Sequence, residues 1–177
     1  MKRILLTIFL CSLSLNAVAQ EPHVHGDVVL NIVKENHLLE IMLISPAINI
    51  VGFERLIANA EERSAVEKAK SLLKQHQKMF SFQNSSCRHL ETSLIQSGPA
   101  EIKKDEPEHV NHHHEHDKNE HSDFEILYRY KCVEEVTSLS VNLREYFSGV
   151  SKIKVKWIKD GVQGGETLAD AKREIKF

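Results

Sequence analysis

The feature that most constrains this fold is a polar, histidine-rich segment in the middle of the chain. Six of the 11 histidines of the 177-residue chain lie between residues 109 and 121. Over residues 96–121 the only aliphatic side chains are Ala100, Ile102 and Val110. Such a stretch cannot bury enough apolar surface to offset the entropy lost on ordering. We therefore predict a long disordered loop over residues 97–121, inserted between two ordered segments.

The first 19 residues have the organisation of a bacterial export signal. Lys2 and Arg3 precede a mostly apolar stretch over residues 4–15, and residues 17–19 read Ala-Val-Ala, the pattern of a signal-peptidase site. No other segment approaches the roughly 18 apolar residues of a membrane helix. We expect cleavage after residue 19, a periplasmic location and no membrane span in the mature protein. A retained N-terminal anchor is the alternative.

Two cysteines remain after this cleavage, one on each side of the histidine-rich segment. They are Cys87 and Cys132. An even number of cysteines in an exported chain favours a disulfide, which here would close a loop containing the whole histidine-rich segment. A pair of thiolates bound to a metal ion is the alternative.

The first ordered segment, residues 20–96, combines strands with one clear helix. Residues 26–44 contain two β-branched stretches separated by a polar turn, which predicts an antiparallel strand pair. Asn59 has the position of a helix N-cap, and the apolar residues after it repeat with helical period as far as Phe80. Residues 90–95 then alternate in the manner of a strand. This segment is predicted to be an N-terminal αβ half.

The second ordered segment, residues 122–177, consists mainly of strand patterns. Alternation of apolar and polar residues is clearest over 123–132, and further strands are predicted over 139–143, 153–158 and 174–177. This segment is predicted to be a C-terminal β-rich half. The expected fold class is α+β, with antiparallel sheets and a packed helix.

A short internal echo relates the starts of the two segments. Residues 25–30 read His-Gly-Asp-Val-Val-Leu, and residues 121–126 read His-Ser-Asp-Phe-Glu-Ile. Two pseudo-symmetric halves that share one core would explain this echo. A chance match of a three-residue pattern is the alternative.

The histidine-rich segment has the chemistry of a transition-metal binder. Neutral imidazole is a ligand suited to zinc, copper and nickel, and sets of two or three imidazoles can share one side of the chain in helical or extended form. Seven carboxylates against three lysines over residues 101–121 add a field that attracts cations. A solubilising linker is the alternative. The expected ligands are His109, His112, His113, His114, His116 and His121.

A second candidate site lies at the start of the mature chain. In a strand, His23 and His25 point the same way and form a two-nitrogen clip. A closed tetrahedral zinc site needs further ligands, which we expect from His121 and Asp123 at the start of a strand in the other half. A solvated N-terminal tail is the alternative.

The remaining composition argues against several functional classes. Lys and Arg number 23 against 25 Asp and Glu, so the chain lacks the basic excess of a nucleic-acid binder. The sequence has no Gly-rich phosphate loop, no G-x-S-x-G and no H-E-x-x-H motif. We therefore expect a non-enzymatic protein. The other histidines are not expected to be ligands. His76 is expected to border the core, and His37 and His89 are expected to be exposed or hydrogen-bonded.

Three motifs, taken with the histidine-rich insert, are shared with a known family. Residues 23–26 read His-Val-His-Gly, and residues 43–54 read Leu-Ile-Ser-Pro-Ala-Ile-Asn-Ile-Val-Gly-Phe-Glu. Residues 123–132 follow the pattern Asp-Phe-Glu-x-x-Tyr-x-Tyr-x-Cys. On these motifs the mature chain resembles the ZrgA-like family of histidine-rich periplasmic zinc-binding proteins of bacteria. The specific element is the part over residues 45–54, which reads Ser-Pro-Ala-x-Asn-x-Val-Gly-Phe-Glu. A histidine run alone would not be specific to a family.

The resemblance implies a periplasmic accessory to zinc uptake that binds Zn²⁺ and feeds an ABC importer or its solute-binding protein. It also implies an αβ fold with pseudo-symmetric halves. The insert is modest and is interrupted by Lys118 and Asn119, so the number of bound ions is not carried over. A nickel- or copper-handling periplasmic protein is the alternative, with a metal-dependent hydrolase or an assembly or adhesion module as rivals from other classes.

Overall fold

The computed structural model describes residues 24–83, 86–100 and 121–177. The export signal predicted over residues 1–19 lies outside this part of the chain. So does most of the predicted loop. The ligand predictions that fall outside it concern His23, His109, His112, His113, His114 and His116.

Within the described residues the chain forms nine strands and four helices, so the protein is mostly sheet. The strands are β1 (Asp27–Glu35), β2 (Leu38–Pro46), β3 (Phe80–Gln83), β4 (Cys87–Ser97), β5 (Asp123–Cys132), β6 (Ser138–Val141), β7 (Lys152–Lys159), β8 (Val162–Leu168) and β9 (Glu174–Lys176). The helices are α1 (Ala47–Val51), α2 (Ala60–Leu73), α3 (His76–Met79) and α4 (Leu143–Tyr146).

A mixed six-stranded sheet with the order β4-β5-β2-β1-β7-β8 dominates the fold. A smaller antiparallel sheet has the order β3-β6-β9. The predicted combination of strands with a packed helix is confirmed. The prediction of antiparallel sheets is wrong at one place, because β1 and β7 pair in parallel. Parallel neighbours need a long crossover connection rather than a hairpin, and here that crossover includes β2 to β6.

Strands from both predicted halves lie in the six-stranded sheet. The pair β1 and β2 from the first segment is flanked by β5 and β7 from the second, and buried side chains of both segments form one hydrophobic cluster. The pseudo-symmetry of the halves and the predicted segment boundaries stay predictions.

The hairpin of β1 and β2 forms where the sequence predicts it. Its turn places Asn36 at a φ of 50°, a conformation that asparagine tolerates better than most residues. One face of the hairpin is fully buried, and each aliphatic side chain there stabilises the fold by about 1.5–3 kcal/mol. The buried side chains of this face are Val28, Leu30, Ile32, Leu39, Ile41 and Leu43.

Helix α2 begins at the predicted N-cap. The Asn59 side chain accepts a hydrogen bond from the Glu62 N–H at 2.9 Å. The Glu62 carboxylate in turn accepts from the Ala58 N–H at 2.8 Å, one residue before the partner that a capping box would use. Hydrogen bonds from Arg55 are the largest cause that lowers the pKa of Glu62, to about 2.

The helix ends earlier than the sequence predicts. The apolar period continues to Phe80, but α2 ends at Leu73, and Gln75 has non-helical angles of φ −81° and ψ 72°. Phe80 instead begins β3, where it pairs with Val141 and meets the Tyr128 ring edge-on at 5.0 Å. The predicted helix is therefore interrupted after Leu73 and resumes as the single turn α3, and strand pairing overrides the helical pattern at Phe80.

The predicted disulfide is present. Cys87 and Cys132 are joined and lie opposite each other in the β4–β5 ladder. The alternative of two metal-bound thiolates is excluded by this bond.

Two of the histidines outside the predicted sites form a stacked pair. The His76 and His89 rings are 3.8 Å apart with an interplanar angle of 3°, and both meet the Tyr130 ring edge-on. His89 Nε2 also lies 2.8 Å from Thr92 Oγ1. His37 contacts the Cys132 carbonyl oxygen through Nδ1 at 3.1 Å.

Across residues 24–83, 86–100 and 121–177, no helix combines the length and the apolar character needed to cross a membrane.

Replacing both Cys87 and Cys132 with serine should lower the free energy of unfolding by about 2–4 kcal/mol. The unfolded chain would regain the freedom that the cross-link removes between residues 45 positions apart. Urea unfolding followed by circular dichroism measures the change. The wild-type protein under reducing conditions serves as the control and should unfold at the same midpoint as the double variant. An unchanged midpoint in the variant would contradict the prediction.

His76 should make stability depend on pH below neutrality. Burial, and then the charge of His89, lower the pKa of His76 below its usual 6.5. Because the unfolded chain binds this proton at higher pH, the contribution is complete above about pH 6.5 and is lost as the pH falls toward the lowered pKa. His76→Gln should therefore flatten the decline of the unfolding free energy between about pH 7 and pH 5. Denaturant titrations at several pH values across this range measure the unfolding free energy. If its slope against pH is the same in wild type and variant, groups other than His76 cause the pH dependence.

Candidate metal-binding site

Three distant parts of the sequence meet at one end of the six-stranded sheet. β1 and β5 both pair antiparallel with β2, so the starts of β1 and β5 lie beside the end of β2. His25 precedes β1, and His121 precedes β5. Glu54 follows α1, the helix that continues directly from β2. The topology therefore brings two histidines and a carboxylate together.

Glu54 lies between the two histidines. Its Oε2 accepts a hydrogen bond from His121 Nδ1 at 2.5 Å, and its Oε1 lies 3.6 Å from His25 Nε2. The Glu54 side chain is only 11% exposed, whereas those of His25 and His121 are 61% and 60% exposed. A largely buried carboxylate thus faces two accessible imidazoles.

The second oxygen of this carboxylate is the unusual atom of the site. Glu54 Oε1 is buried and accepts no hydrogen bond from the described residues. Leaving a buried acceptor without a partner costs about 1–3 kcal/mol, and a cation or water commonly explains such an atom. Two ligand atoms bound to one tetrahedral zinc ion at 2.0–2.1 Å are about 3.3 Å apart. The separation of 3.6 Å between Oε1 and His25 Nε2 is close to this value.

The contact with Glu54 sets the orientation of the His121 ring. A carboxylate that holds one ring nitrogen of a histidine is a common support of metal ligands. Glu54 Oε2 therefore holds the His121 ring, while Oε1 faces His25.

Backbone hydrogen bonds tie Glu54 to the start of β5. Gly52 caps α1 in a left-handed conformation with φ 86° and turns the chain toward the site. The Ser122 hydroxyl donates to the Glu54 carbonyl at 2.7 Å, and the Ser122 carbonyl accepts from the Ala47 N–H at 2.8 Å. The backbone beside His121 is thus fixed against the segment that carries Glu54.

The neighbouring arginine is directed away from the candidate site. Arg55 makes two hydrogen bonds to the Glu62 carboxylate, at 2.9 Å and 2.6 Å. This pairing is the largest cause that raises the pKa of Arg55. Its positive charge is therefore directed to the start of α2 rather than to Glu54.

The structure brings together only some of the predicted ligands. His25 and His121 meet at Glu54, as their placement at the starts of two strands suggested. Asp123 begins β5 opposite Pro46. In the described part of the chain, no three or more His, Cys, Asp or Glu side chains are already arranged to hold a metal ion. Closure around an ion therefore requires the exposed imidazoles to rotate or further donors to join.

Sequence reasoning about ligands did not select Glu54. It is a single carboxylate at the end of an apolar stretch, and nothing in its local sequence pattern distinguishes it from the other acidic residues of the chain. The available signal was the family string over residues 43–54, which ends at this residue.

Both ends of the histidine-rich insert lie beside the candidate site. The Ile57 N–H donates to the Ala100 carbonyl at 2.9 Å, and the Gly98 N–H donates to the Asp123 carbonyl at 2.9 Å. Ile57 is three residues from Glu54, and the described chain resumes at His121. Residues 101–120 are therefore attached on both sides to the part of the molecule that holds the two histidines.

The comparison with family models identifies the family of the chain. A model described as "ZrgA family zinc uptake protein" matches residues 22–177, whereas the search of curated proteins gave no match. The matched range includes His25, Glu54 and His121, and it confirms the resemblance found in the sequence motifs. The chain therefore belongs to the ZrgA family of zinc uptake proteins.

Proposed function

We propose that this protein captures Zn²⁺ in the periplasm and assists its uptake through an ABC importer, without catalysing a reaction. Membership of a zinc uptake family supports the general role. The observation that carries the binding site is Glu54, whose buried Oε1 accepts no hydrogen bond from the described residues and lies 3.6 Å from His25 Nε2.

Glu54 Oε1 and His25 Nε2 would form the first pair of zinc ligands. His121 would join after a rotation of its 60% exposed side chain, which would exchange the hydrogen bond from Nδ1 to Glu54 Oε2 for a bond to the ion. His23 and Asp123 are the further donors that the sequence predicts. Carboxylate oxygen and imidazole nitrogen are both established zinc ligands, so the donor set fits the ion.

The histidine-rich segment would supply a second class of weaker sites. Its overlapping sets of imidazoles favour several exchanging ions over one tight complex. Because both ends of the segment lie beside Glu54 and His121, ions collected there could move by stepwise ligand exchange to the ordered site. Transfer onward to an importer or its solute-binding protein is proposed from the family role.

Glu54→Gln should weaken zinc binding at the tightest site by about 10- to 100-fold, the usual effect of losing a group that supports a metal site. The amide keeps the shape of the side chain and can still accept from His121, but it lacks the negative charge. Competition against a chromophoric chelator at neutral pH measures the dissociation constant.

Glu40→Gln is the matched control for this change. Glu40 accepts a hydrogen bond from Arg129 on β5 at 2.7 Å and takes no part in the candidate site. The Glu40→Gln variant should bind zinc as the wild-type protein does. Equal affinities for all three proteins would refute the role of Glu54. Tight binding of Cu²⁺ or Ni²⁺ without Zn²⁺ would favour the alternative metal.

Replacing five of the six histidines of the insert with asparagine in the full-length chain, with His121 kept, should remove most of the weaker zinc sites and retain the tightest one. The positions are His109, His112, His113, His114 and His116. Calorimetric titration reports the number of ions and their affinities. His37→Asn removes a histidine that contacts a backbone carbonyl and serves as the control. An unchanged number of ions in the fivefold variant would exclude the insert from zinc capture.

A further inference from the structure

We propose that Asn49 is a positioning residue for His25, which it holds through the turn that carries this histidine. The inference rests on the proposed function, because it takes His25 to be a zinc ligand. Asn49 belongs to the string over residues 43–54, and neither the ligand set nor the hydrophobic core requires an asparagine there.

His25 lies in a β-turn rather than in a packed environment. The Asp27 N–H donates to the Val24 carbonyl at 3.0 Å, and Gly26 has a φ of 89°, as the third residue of a type II turn requires. The His25 side chain is 61% exposed. Its position relative to Glu54 is therefore determined by the backbone of this turn more than by side-chain packing.

The Asn49 side chain forms a clamp on the turn, with hydrogen bonds to the backbone of two consecutive residues. Its Oδ1 accepts from the Gly26 N–H at 2.7 Å, and its Nδ2 donates to the Asp27 carbonyl at 2.9 Å. The residue is only 4% exposed, so water does not readily replace these bonds. A side chain with one donor and one acceptor is needed, and asparagine has both.

The loop before β7 holds the turn from the other side. The Gly26 carbonyl accepts from the N–H groups of Ser151 and Lys152 at 2.8 Å and 3.0 Å. A Cβ atom at Gly149 would lie 2.5 Å from the Asn49 carbonyl oxygen, so glycine permits this loop to close over α1. The turn is therefore fixed between α1 and the loop.

The same short segment also carries Glu54. Asn49 lies within α1, and Glu54 follows that helix after the Gly52 cap. A clamp from α1 onto the turn fixes His25 relative to the carboxylate, which accounts for the 3.6 Å approach of Nε2 to Oε1. Asn49 thus acts on the site through His25 without contacting an ion.

A double-mutant cycle tests the inference. The zinc dissociation constant of the tightest site is measured in full-length wild-type protein, Asn49→Ala, His25→Ala and the double variant, at zinc below one equivalent. Asn49→Ala should weaken binding about tenfold when His25 is present, the lower end of the effect of losing a support of a metal ligand. Asn49→Ala should change binding less than about twofold when His25 is absent, because residues that act as a unit have non-additive effects.

The outcomes separate the inference from the proposed function. Equal weakening in both backgrounds would make Asn49 a general structural residue and overturn the inference. Weakening by His25→Ala but not by Asn49→Ala would also overturn it, while the zinc site at His25 stands. No effect of His25→Ala would remove His25 from the site and refute both.

Two further variants distinguish loss of the clamp from a general loss of stability. Asn49→Asp keeps the acceptor for Gly26 but places a carboxylate oxygen against the Asp27 carbonyl, and it should weaken zinc binding in the same direction. Leu139→Ala destabilises the smaller sheet and should bind zinc as the wild type does. In zinc-free protein, the Gly26 amide proton should exchange faster in Asn49→Ala, which lacks the acceptor for this N–H, than in Leu139→Ala. Equal exchange in Asn49→Ala and Leu139→Ala would contradict the clamp.

Discussion

The hydrogen-bond ladder of β2 is the interaction on which the rest of the structure depends. β2 pairs with β1 on one side and with β5 on the other, and Leu39, Ile41 and Leu43 bury its inner face. A slip of one residue in either ladder would turn this face to solvent, so the register is strongly specified. Because His25, Glu54 and His121 are all attached to the ends of these strands, the same register sets their distances.

The site combines a rigid support with accessible donors. Glu54 is largely buried and its backbone is hydrogen-bonded to Ser122, whereas both imidazoles are about 60% exposed. Burying a carboxylate oxygen without a hydrogen bond is unfavourable, and an incoming cation would relieve that cost. Because the imidazoles are exposed, a bound ion could exchange them for the ligands of a partner, which would suit the proposed delivery of zinc.

Local patterns predicted much of this fold, whereas long-range pairing decided the rest. Strand alternation, the cap at Asn59 and the pairing of Cys87 with Cys132 follow from short-range or compositional signals, and the structure confirms them. The parallel pairing of β1 with β7 joins residues more than a hundred positions apart and leaves no local pattern. No local pattern marks Glu54 as a candidate ligand either, because only the order of the strands places it between His25 and His121.

The specific family string is better explained by the architecture of the site than by the number of histidines. Pro46 ends β2, Asn49 holds the turn before β1, Gly52 caps α1 and Glu54 supplies the carboxylate. These four residues lie within nine consecutive positions, and they form hydrogen bonds with the Gly26 backbone next to His25 and with the Ser122 hydroxyl next to His121. A change of length in this segment would move His25 relative to His121, because both are tied to it by hydrogen bonds beside them. The segment is therefore the structural unit that brings two histidines distant in sequence to the same carboxylate.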